Sequence, residues 1–346
     1  MKTLRMELGE RSYDITVGGG ALGELTKYMD LDRKVLIVTD TGVPKEYAEA
    51  VKRQSRDAVI VTVPMGEGSK SPEMHTALLE TMLELGMTRT DCVVAVGGGV
   101  VGDLAGYVAA SYMRGVDFYN VPTTVLSQVD SSIGGKVAVN LGGVKNVIGA
   151  FHQPRAVVID TDTLKTLPER QLSNGLAEAI KMAITSDGEL FTFLEECEVT
   201  WESIEEIILR SLMIKKQVVE CDERESGLRK ILNFGHTFGH AIEALEEMHG
   251  LYHGECVAIG MMPMLSSEAR AKVAPVLRKF GLSYIYGGDI EPALSYISHD
   301  KKCDGQSVTA VIVDEIGGYR LEKLTLQELE DRIRCEIKKI YEENNI

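Results

Sequence analysis

Four of the seven histidines of this chain fall within one stretch of eighteen residues: His236, His240, His249 and His253. Neutral imidazole is the commonest protein ligand for zinc, and a catalytic zinc takes about three protein ligands and keeps one position open. His236 and His240 are four residues apart, so on a helix they share one face and can bind one ion together or supply one ligand and one proton-transfer group. Hydrogen-bonded core histidines are the alternative. The two further histidines and the nearby glycines favour a metal site.

A second candidate site is a glycine-rich segment in the first half of the chain. The run Val-Val-Ala-Val at 93–96 leads into Gly-Gly-Gly-Val-Val-Gly-Asp at 97–103, with glycines in Gly-x-Gly-x-x-Gly spacing. Glycine lets the backbone approach a phosphate, and a helix N-terminus supplies N–H groups for it. A tight turn without a ligand is the alternative. The turn follows about the third strand, not the first, and no acidic residue for a ribose is obvious about twenty residues later.

Further polar residues follow other predicted strands. Asp40 ends one strand, and Gly66, Glu67, Gly68, Ser69 and Lys70 follow the next. The segment from Arg114 to Asn146 is rich in small polar residues and glycine and includes Lys136 and Lys145, a composition that suits a loop around a charged ligand. A solvated loop is the alternative reading, although long glycine-bearing loops in compact domains are usually functional or mobile.

The second half adds a carboxylate and several cations. Glu178 and Lys181 are three residues apart, and taken alone they are best interpreted as a surface ion pair worth at most about 0.5 kcal/mol. Beside two histidines, however, Glu178 would complete a zinc site of the His2Glu type. The remaining charged candidates, each of which could also be plain surface charge, are Lys215, Glu225, Arg229, Lys301 and Lys302.

The order of predicted elements indicates an α/β fold with two domains. We predict an initial hairpin from residues 4–8 and 13–17, strands at 34–39, 58–63, 92–96, 118–121 and 156–160, and a helix at 74–85. From about residue 172 the pattern is helical, with helices predicted at 175–184, 189–196, 203–219, 236–247, 255–269 and 326–341 and one strand at 307–313. We therefore expect a Rossmann-like dinucleotide-binding domain at 1–165 and a mostly α-helical metal- and substrate-binding domain at 166–346.

Composition limits the function classes. The 346 residues are 44% hydrophobic, no apolar run reaches the roughly 18 residues that span a bilayer, and the first residues lack the apolar core of a signal peptide, so we expect a cytoplasmic protein with no membrane partner. Six dispersed cysteines indicate reduced thiols. A net charge of −15 disfavours nucleic acid, so an anionic substrate must be bound by a local cluster of Lys and Arg.

These segments together resemble the 3-dehydroquinate synthase family of the shikimate pathway. The resemblance includes Gly-Gly-Gly-Val-Val-Gly-Asp at 97–103 and Asn-Phe-Gly-His-Thr-Phe-Gly-His at 233–240, within matching blocks at 97–106, 110–115, 121–124, 128–140, 145–154, 161–170, 232–243 and 253–255. It implies a homodimer with NAD and zinc or cobalt in a cleft between the domains, and a sugar acid phosphate as substrate.

The resemblance also implies roles for particular residues. Metal ligands would be Glu178, His236 and His253, which leaves His240 for proton transfer or substrate contact. NAD would bind at Asp40, Gly66, Glu67, Gly68, Ser69, Lys70, Gly99, Val100, Val101, Gly102, Asp103, Thr123, Thr124, Lys136, Lys145, Thr163, Leu164, Lys165 and Thr166. The substrate would contact Asp130, Lys136, Asn146, Lys181, Lys215, Glu225, Arg229, Asn233, His240 and one of Lys301 or Lys302, and Arg114 would reach its phosphate from the partner subunit.

The implied reaction converts 3-deoxy-D-arabino-heptulosonate 7-phosphate to 3-dehydroquinate and phosphate. It proceeds by transient oxidation with NAD, β-elimination of phosphate, re-reduction and intramolecular aldol closure. The alternatives are another sugar phosphate cyclase of the inosose or valiolone type, a metal-dependent polyol dehydrogenase, and a non-catalytic protein with a decayed site. Net formation of NADH from a polyol would distinguish the dehydrogenase.

Overall fold

The computed structural model describes residues 1–225, 227–246, 250–299 and 307–345. The chain forms two compact units, Met1–Pro168 and Glu169–Ile346. The first unit combines a sheet with helices, and the second is mostly helical. The α/β class predicted from the alternating strand and helix patterns is confirmed.

The first unit is built on a seven-stranded sheet. The strands of this unit are β1 (Lys2–Met6), β2 (Tyr13–Val17), β3 (Lys34–Asp40), β4 (Asp57–Val63), β5 (Cys92–Gly97), β6 (Asp117–Pro122), β7 (Lys136–Leu141), β8 (Val144–Phe151) and β9 (Ala156–Ile159). The order in the sheet is β1-β2-β9-β6-β5-β3-β4; every neighbouring pair is parallel except β1 and β2, which form the expected N-terminal hairpin.

Both faces of this sheet are buried. Along β3, Leu36 and Val38 belong to one apolar core, whereas Val35 and Ile37 belong to the other, as the two-residue period of a strand requires. The helices of this unit are α1 (Lys45–Arg53), α2 (Pro72–Glu84) and α3 (Gly99–Ser111). A sheet covered on both faces explains why its central strands are continuous Val and Ile runs in the sequence.

The strand order also accounts for the position of the glycine-rich turn. From β3 the chain passes outward to β4 and then returns to the other side of β3, where it forms β5. The change of direction between β3 and β5 is a topological switch point, where open α/β sheets bind ligands at the carboxyl ends of their strands. The glycine turn at the end of β5 lies at this point, although β5 is not the first strand of the unit.

The expectation of one long loop between Arg114 and Asn146 was wrong. Residues Ser127–Ser131 form a π-helical turn, and β7 pairs with β8 in a separate antiparallel hairpin whose first strand packs against α3. Val137, Ala138 and Val139 are buried while Lys136 is exposed. This apolar run is too short to predict a strand by itself, because polar residues and glycines surround it in the sequence.

The second unit is formed by helices and one small hairpin. Side chains cap the N-termini of several of these helices. For example, Asp187 Oδ1 accepts a hydrogen bond from Leu190 N (2.8 Å), and Thr325 forms a reciprocal capping box with Glu328. The elements are α4 (Glu169–Ser186), α5 (Gly188–Glu196), α6 (Trp201–Cys221), α7 (His236–Glu246), α8 (His253–Met261), α9 (Ser267–Lys279), α10 (Glu291–His299), β10 (Ser307–Ile312), β11 (Arg320–Thr325) and α11 (Leu326–Glu343).

Two predictions for this unit need correction. The helix expected at 255–269 is interrupted, because α8 ends before Pro263 and α9 begins at a new N-cap, Ser266. The strand expected at 307–313 is present as β10, but its partner β11 was missed because its alternation of charged and apolar residues is short and mostly exposed. Among the described helices, none combines the length and apolar character needed to cross a membrane.

Candidate active site

Three of the clustered histidines come together in the second unit. His236 and His240 lie one turn apart at the start of α7, and His253 is the first residue of α8, which packs against α7. One ring nitrogen from each of the three lies within 4.8 Å of the others. His249, Lys301 and Lys302 fall outside the described residues.

Glycines allow the two histidine-bearing helices to approach this closely. A Cβ on Gly260 of α8 would collide with the carbonyl oxygen of Gly235, and a Cβ on Gly239 of α7 would lie 3.0 Å from the carbonyl oxygen of Cys256. Any larger side chain at either position would push α7 and α8 apart. Gly239 and Gly260 therefore allow the close backbone contact between α7 and α8 that brings the histidines together.

Glu178 is the fourth member of the cluster. It lies on α4, in the stretch from Ser173 to Thr185 that is buried all around, and its side chain is 1% exposed. Its Oε1 lies 3.7 Å from Nε2 of His236 and 3.7 Å from Nε2 of His253, and has no hydrogen-bond partner among the described residues. A buried carboxylate oxygen without a partner is costly, so its position between two imidazoles fits a cation-binding role.

Lys181 forms an ion pair with the other oxygen of this carboxylate. Its Nζ contacts Glu178 Oε2 and donates a 2.5 Å hydrogen bond to the carbonyl oxygen of Leu232. Both members of the pair are 1% exposed. The sequence-based preference for a surface ion pair was therefore wrong: the pair is buried beside the histidines.

Burial and Lys181 together set the protonation of these donors. Burial alone would raise the pKa of Glu178, but the charges of Lys181 and His236 outweigh it and hold this pKa well below its usual range. Burial, followed by the charge of Lys181, lowers the pKa of His236 well below its usual value. Glu178 is thus an anion and His236 a neutral imidazole at neutral pH, which are the forms that bind metals.

The second nitrogens of two imidazoles are also accounted for. His236 Nδ1 lies 3.0 Å from the carbonyl oxygen of Phe234, and His253 Nδ1 lies 2.9 Å from Glu243 Oε2. Burial would lower the pKa of His253, but the neighbouring carboxylates of Glu178 and Glu243 raise it to about 9. Such partners orient ligating imidazoles so that Nε2 faces the ion. Glu243 was missed from the sequence, where its only signal is its position three residues after His240.

The residues present fit a divalent metal. A tetrahedral zinc about 2.1 Å from each donor requires donor separations of roughly 3.4 Å. The observed 3.7 Å distances from Glu178 Oε1 to the two Nε2 atoms are within a few tenths of an ångström of that value. Two imidazoles and one carboxylate form a His2Glu donor set. His240 is more exposed than the other two histidines and lies at the edge of the cluster.

Other predicted site residues of this unit lie on elements packed against α4. Lys215 on α6 and Arg229 in the turn Leu228–Asn233 are 4% and 2% exposed. Arg229 Nη1 donates to the carbonyl oxygen of Glu223 at 2.7 Å, and Asn233 Nδ2 donates to Glu225 Oε1 at 2.9 Å. The buried cations Lys181, Lys215 and Arg229 thus share one part of an otherwise acidic chain.

The predicted nucleotide-binding residues gather at one edge of the sheet in the first unit. Parallel strands bring their carboxyl ends to the same edge. Asp40 ends β3, and Thr123 and Thr124 follow β6. Gly66, Glu67, Gly68, Ser69 and Lys70 follow β4; Gly99, Val100, Val101, Gly102 and Asp103 begin α3; and Thr163, Leu164, Lys165 and Thr166 follow β9.

This edge fits a dinucleotide. The N-cap of α3 is Gly98, and no described side chain caps this end of the helix, so the first-turn N–H groups can face a phosphate. At the same edge, the hydroxyl of Thr39 is buried without a hydrogen-bond partner. Lys70, 5% exposed, forms a 2.7 Å ion pair with Asp103 Oδ2. Both a helix terminus and an unsatisfied polar atom therefore point to a polar ligand here.

The hairpin β7–β8 is attached to this edge. Lys70 Nζ contacts Asn146 Oδ1, and Asn140 Nδ2 donates to Glu67 Oε1 at 2.8 Å. Asn146 has φ of 56°, a left-handed conformation. The other candidates of this unit are dispersed: Asp130 lies in the π-helical turn, Lys136 begins β7, Lys145 lies on β8, and exposed Arg114 follows α3 with φ of 68°.

The solved structures similar to this chain include sugar phosphate cyclases. The crystal structure of 2-deoxy-scyllo-inosose synthase complexed with carbaglucose-6-phosphate, NAD+ and Co2+ has a TM-score of 0.88 and 27% identity, covering 97% of this chain and all of that one. The structure of 2-epi-5-epi-valiolone synthase from Streptomyces hygroscopicus, with NAD+ and Zn2+ bound, has a TM-score of 0.84 and 26% identity, covering 96% and 99% of the two chains. The fold, these identities and the site together indicate this class.

Sequence comparison identifies the family within the class. Family models for the N-terminal and C-terminal parts of 3-dehydroquinate synthase match residues 60–174 and 175–303. The curated 3-dehydroquinate synthase of Streptococcus mutans is 40% identical over 349 aligned positions, covering 95% of this chain and 98% of that protein. The chain belongs to the 3-dehydroquinate synthase family.

Proposed function

We propose that this protein converts 3-deoxy-D-arabino-heptulosonate 7-phosphate to 3-dehydroquinate and phosphate, with NAD and a divalent metal as cofactors. Membership of the family supports the reaction. The related cyclase structures that contain NAD+ with Co2+ or Zn2+ support the cofactors. The observation that carries the proposal is the unsatisfied, buried Glu178 Oε1, 3.7 Å from Nε2 of both His236 and His253.

Each cofactor has a set of residues to hold it. Glu178, His236 and His253 hold the metal, with His253 oriented by Glu243. The start of α3 binds the pyrophosphate of NAD through its N–H groups, together with the residues after β3, β4, β6 and β9 and with Lys136 and Lys145. When bound, NAD supplies reversible hydride transfer at a substrate hydroxyl, and the metal polarises the oxygen at that carbon.

The remaining polar residues act on the substrate. His240, exposed beside the metal ligands, is suited to exchange a proton with a substrate hydroxyl. The buried cations Lys215 and Arg229 provide charge for an anionic substrate, and Asn233 of the same turn as Arg229 is hydrogen-bonded to Glu225, which precedes that turn. Asp130, Lys136, Asn146 and Lys181 complete the proposed set, with Arg114 acting on the phosphate across the interface of a homodimer.

The test is release of phosphate from the heptulosonate phosphate by metal-loaded protein with catalytic NAD. We expect phosphate and the carbocycle, identified by NMR, without accumulation of absorbance at 340 nm, because hydride taken up early is returned later. A hexose phosphate and a polyol serve as comparison substrates. Phosphate release from the hexose phosphate alone would identify an inosose-type cyclase, and steady NADH formation from the polyol would identify a dehydrogenase.

A further inference from the structure

Helix α4 carries three polar side chains that face the first turn of α8. Arg170, Asn174 and Glu178 are spaced four residues apart, so they form one stripe along α4. Each contacts one of three consecutive residues at the start of α8: Glu255, Gly254 and His253, respectively.

The contact at the middle of the stripe is a buried hydrogen bond. Asn174, 5% exposed, accepts from the backbone N–H of Gly254 through Oδ1 at 2.6 Å. A Cβ on Gly254 would collide with the carbonyl oxygen of Asn174, so the backbones of the two helices are in direct contact here. The amide of Gly254 belongs to the first turn of α8 and has no partner within its own helix. Asn174 therefore satisfies this group and fixes the separation of the helices.

The contact at the end of the stripe is a two-bond ion pair. Arg170 Nε and Nη2 donate to the two carboxylate oxygens of Glu255, each at 2.7 Å. Its guanidinium carbon also lies 4.2 Å from the ring centre of Tyr252, and Nη2 donates to the carbonyl oxygen of Gly250 at 2.5 Å. Glu255 Oε2 in turn accepts from Tyr252 N at 2.7 Å. Arg170 thus fixes the chain on both sides of His253.

These contacts matter because His253 is the first residue of its helix. Helix ends fray, and a fraying first turn would move an imidazole attached to it. A metal site requires its donors to be held within about 0.5 Å of their bonding positions. Glu178, by contrast, lies well inside a buried helix and needs no such support.

We propose that Arg170 and Asn174 are positioning residues that hold the start of α8 so that His253 Nε2 stays opposite Glu178 Oε1, and that they thereby set the affinity of the site for its metal. This rests on the proposed function, in which Glu178, His236 and His253 bind the metal. The pair Arg170–Glu255 is partly exposed and adds little to overall stability, so its effect belongs to the metal site and not to folding.

The test measures Zn2+ affinity by competition with a chelator, together with the visible absorption of the Co2+-loaded protein. Asn174→Ala and Arg170→Ala are expected to weaken Zn2+ binding by roughly 10- to 100-fold and to alter the Co2+ spectrum. Asn174→Asp keeps an acceptor for Gly254 N and should restore most of the affinity. The matched control is Arg334→Ala. Arg334 on α11 forms a similar two-bond ion pair with Glu291 on α10, and its loss should leave the Zn2+ affinity and the Co2+ spectrum unchanged.

The outcomes separate this proposal from the proposed function. Wild-type protein that takes up no stoichiometric Zn2+, or a His253→Ala variant that keeps it, would refute the metal site itself and both proposals with it. Normal wild-type binding with unchanged affinity and Co2+ spectra in Asn174→Ala and Arg170→Ala would refute only the positioning role. A purely structural role would lower the melting temperature of the variants without changing their metal affinity, and would also count against it. Should Asn174→Ala fail to fold, Arg170→Ala decides.

Discussion

Replacing Glu178 by glutamine tests the electrostatics of the site without relying on catalysis. The substitution preserves side-chain size but removes the charge that balances Lys181, and both side chains are 1% exposed. In the variant, Lys181 Nζ keeps its hydrogen bond to the carbonyl oxygen of Leu232 (2.5 Å) and has a neutral amide oxygen as acceptor in place of the carboxylate. The variant therefore leaves a buried ammonium without a counter-charge.

The magnitude follows from the burial of the pair. Breaking a buried ion pair by removing one partner typically costs about 3–5 kcal/mol. With two carbonyl-type acceptors retained, we expect the low end, about 3 kcal/mol. For a unit of this size that corresponds to a fall in melting temperature of roughly 6–12 °C.

The assay is thermal unfolding of metal-free protein in the presence of a chelator. The matched control is Glu291→Gln, which removes an exposed carboxylate from Arg334 and should change the melting temperature little. A double variant, Glu178→Gln with Lys181→Met, should regain much of the loss because no unpaired charge remains. Equal melting temperatures for Glu178→Gln, Glu291→Gln and the wild type would show that the buried ion pair between Glu178 and Lys181 does not stabilise the fold, and would refute this reasoning.

The pH dependence follows from the sign of the shift. Burial would raise the pKa of Glu178, but Lys181 and His236 lower it well below its usual range. Its contribution to stability is therefore fully present above the unfolded pKa of about 4.3 and is lost as pH falls through the lower folded value. The difference between wild type and Glu178→Gln should therefore shrink as pH falls below about 4.3, as thermal unfolding at each pH would show.

Three further predictions concern single side chains. Glu243→Ala should weaken Zn2+ binding by roughly 10- to 100-fold in chelator competition, because His253 Nδ1 loses its carboxylate partner; unchanged affinity would contradict this. Since the pKa of His253 is raised to about 9, its stabilising contribution in metal-free protein should be complete below about pH 6.5 and fall as pH rises through 9, and His253→Ala should remove that part of the melting profile. Burial raises the pKa of Cys92 to about 12, so native protein at pH 8 should be alkylated at exposed Cys221 and Cys335 but not at Cys92, as mass spectrometry would show.

The sheet could be predicted from the sequence because its strands are buried on both faces. Residues 92–96 form an unbroken apolar run, and the observed strand is Cys92–Gly97. The hairpin β7–β8 could not be predicted in this way, because its first strand packs against α3 and its apolar run covers only residues 137–139. Likewise, Pro263 ended a helix that hydrophobic periodicity alone would have continued.

The site residues also differ in how far they could be predicted from the sequence. The histidines could be recognised by residue type and spacing, whereas Glu178 could not be separated from a surface ion pair, since an i, i+3 carboxylate and lysine are common on exposed helices. What distinguishes it is the burial of α4 on every side, which depends on the packing of helices distant in sequence. Asn174 and Glu243 act through contacts with residues 80 and 10 positions away, respectively, and no local pattern signals either contact.

Lys181 connects the packing of α4 to the chemistry of the cluster. Burial, followed by the ammonium group of Lys181, lowers the pKa of His236, and Lys181 outweighs the effect of burial on Glu178, so the carboxylate is ionised and the imidazole neutral before any cation arrives. Metals bind only these unprotonated forms, so of the three proposed ligands only His253 must lose a proton at neutral pH. Because Lys181 already balances the charge of Glu178, a bound divalent ion would leave the cluster with excess positive charge in a buried environment. That excess would attract an anionic substrate locally, even though the chain as a whole has a net charge of −15.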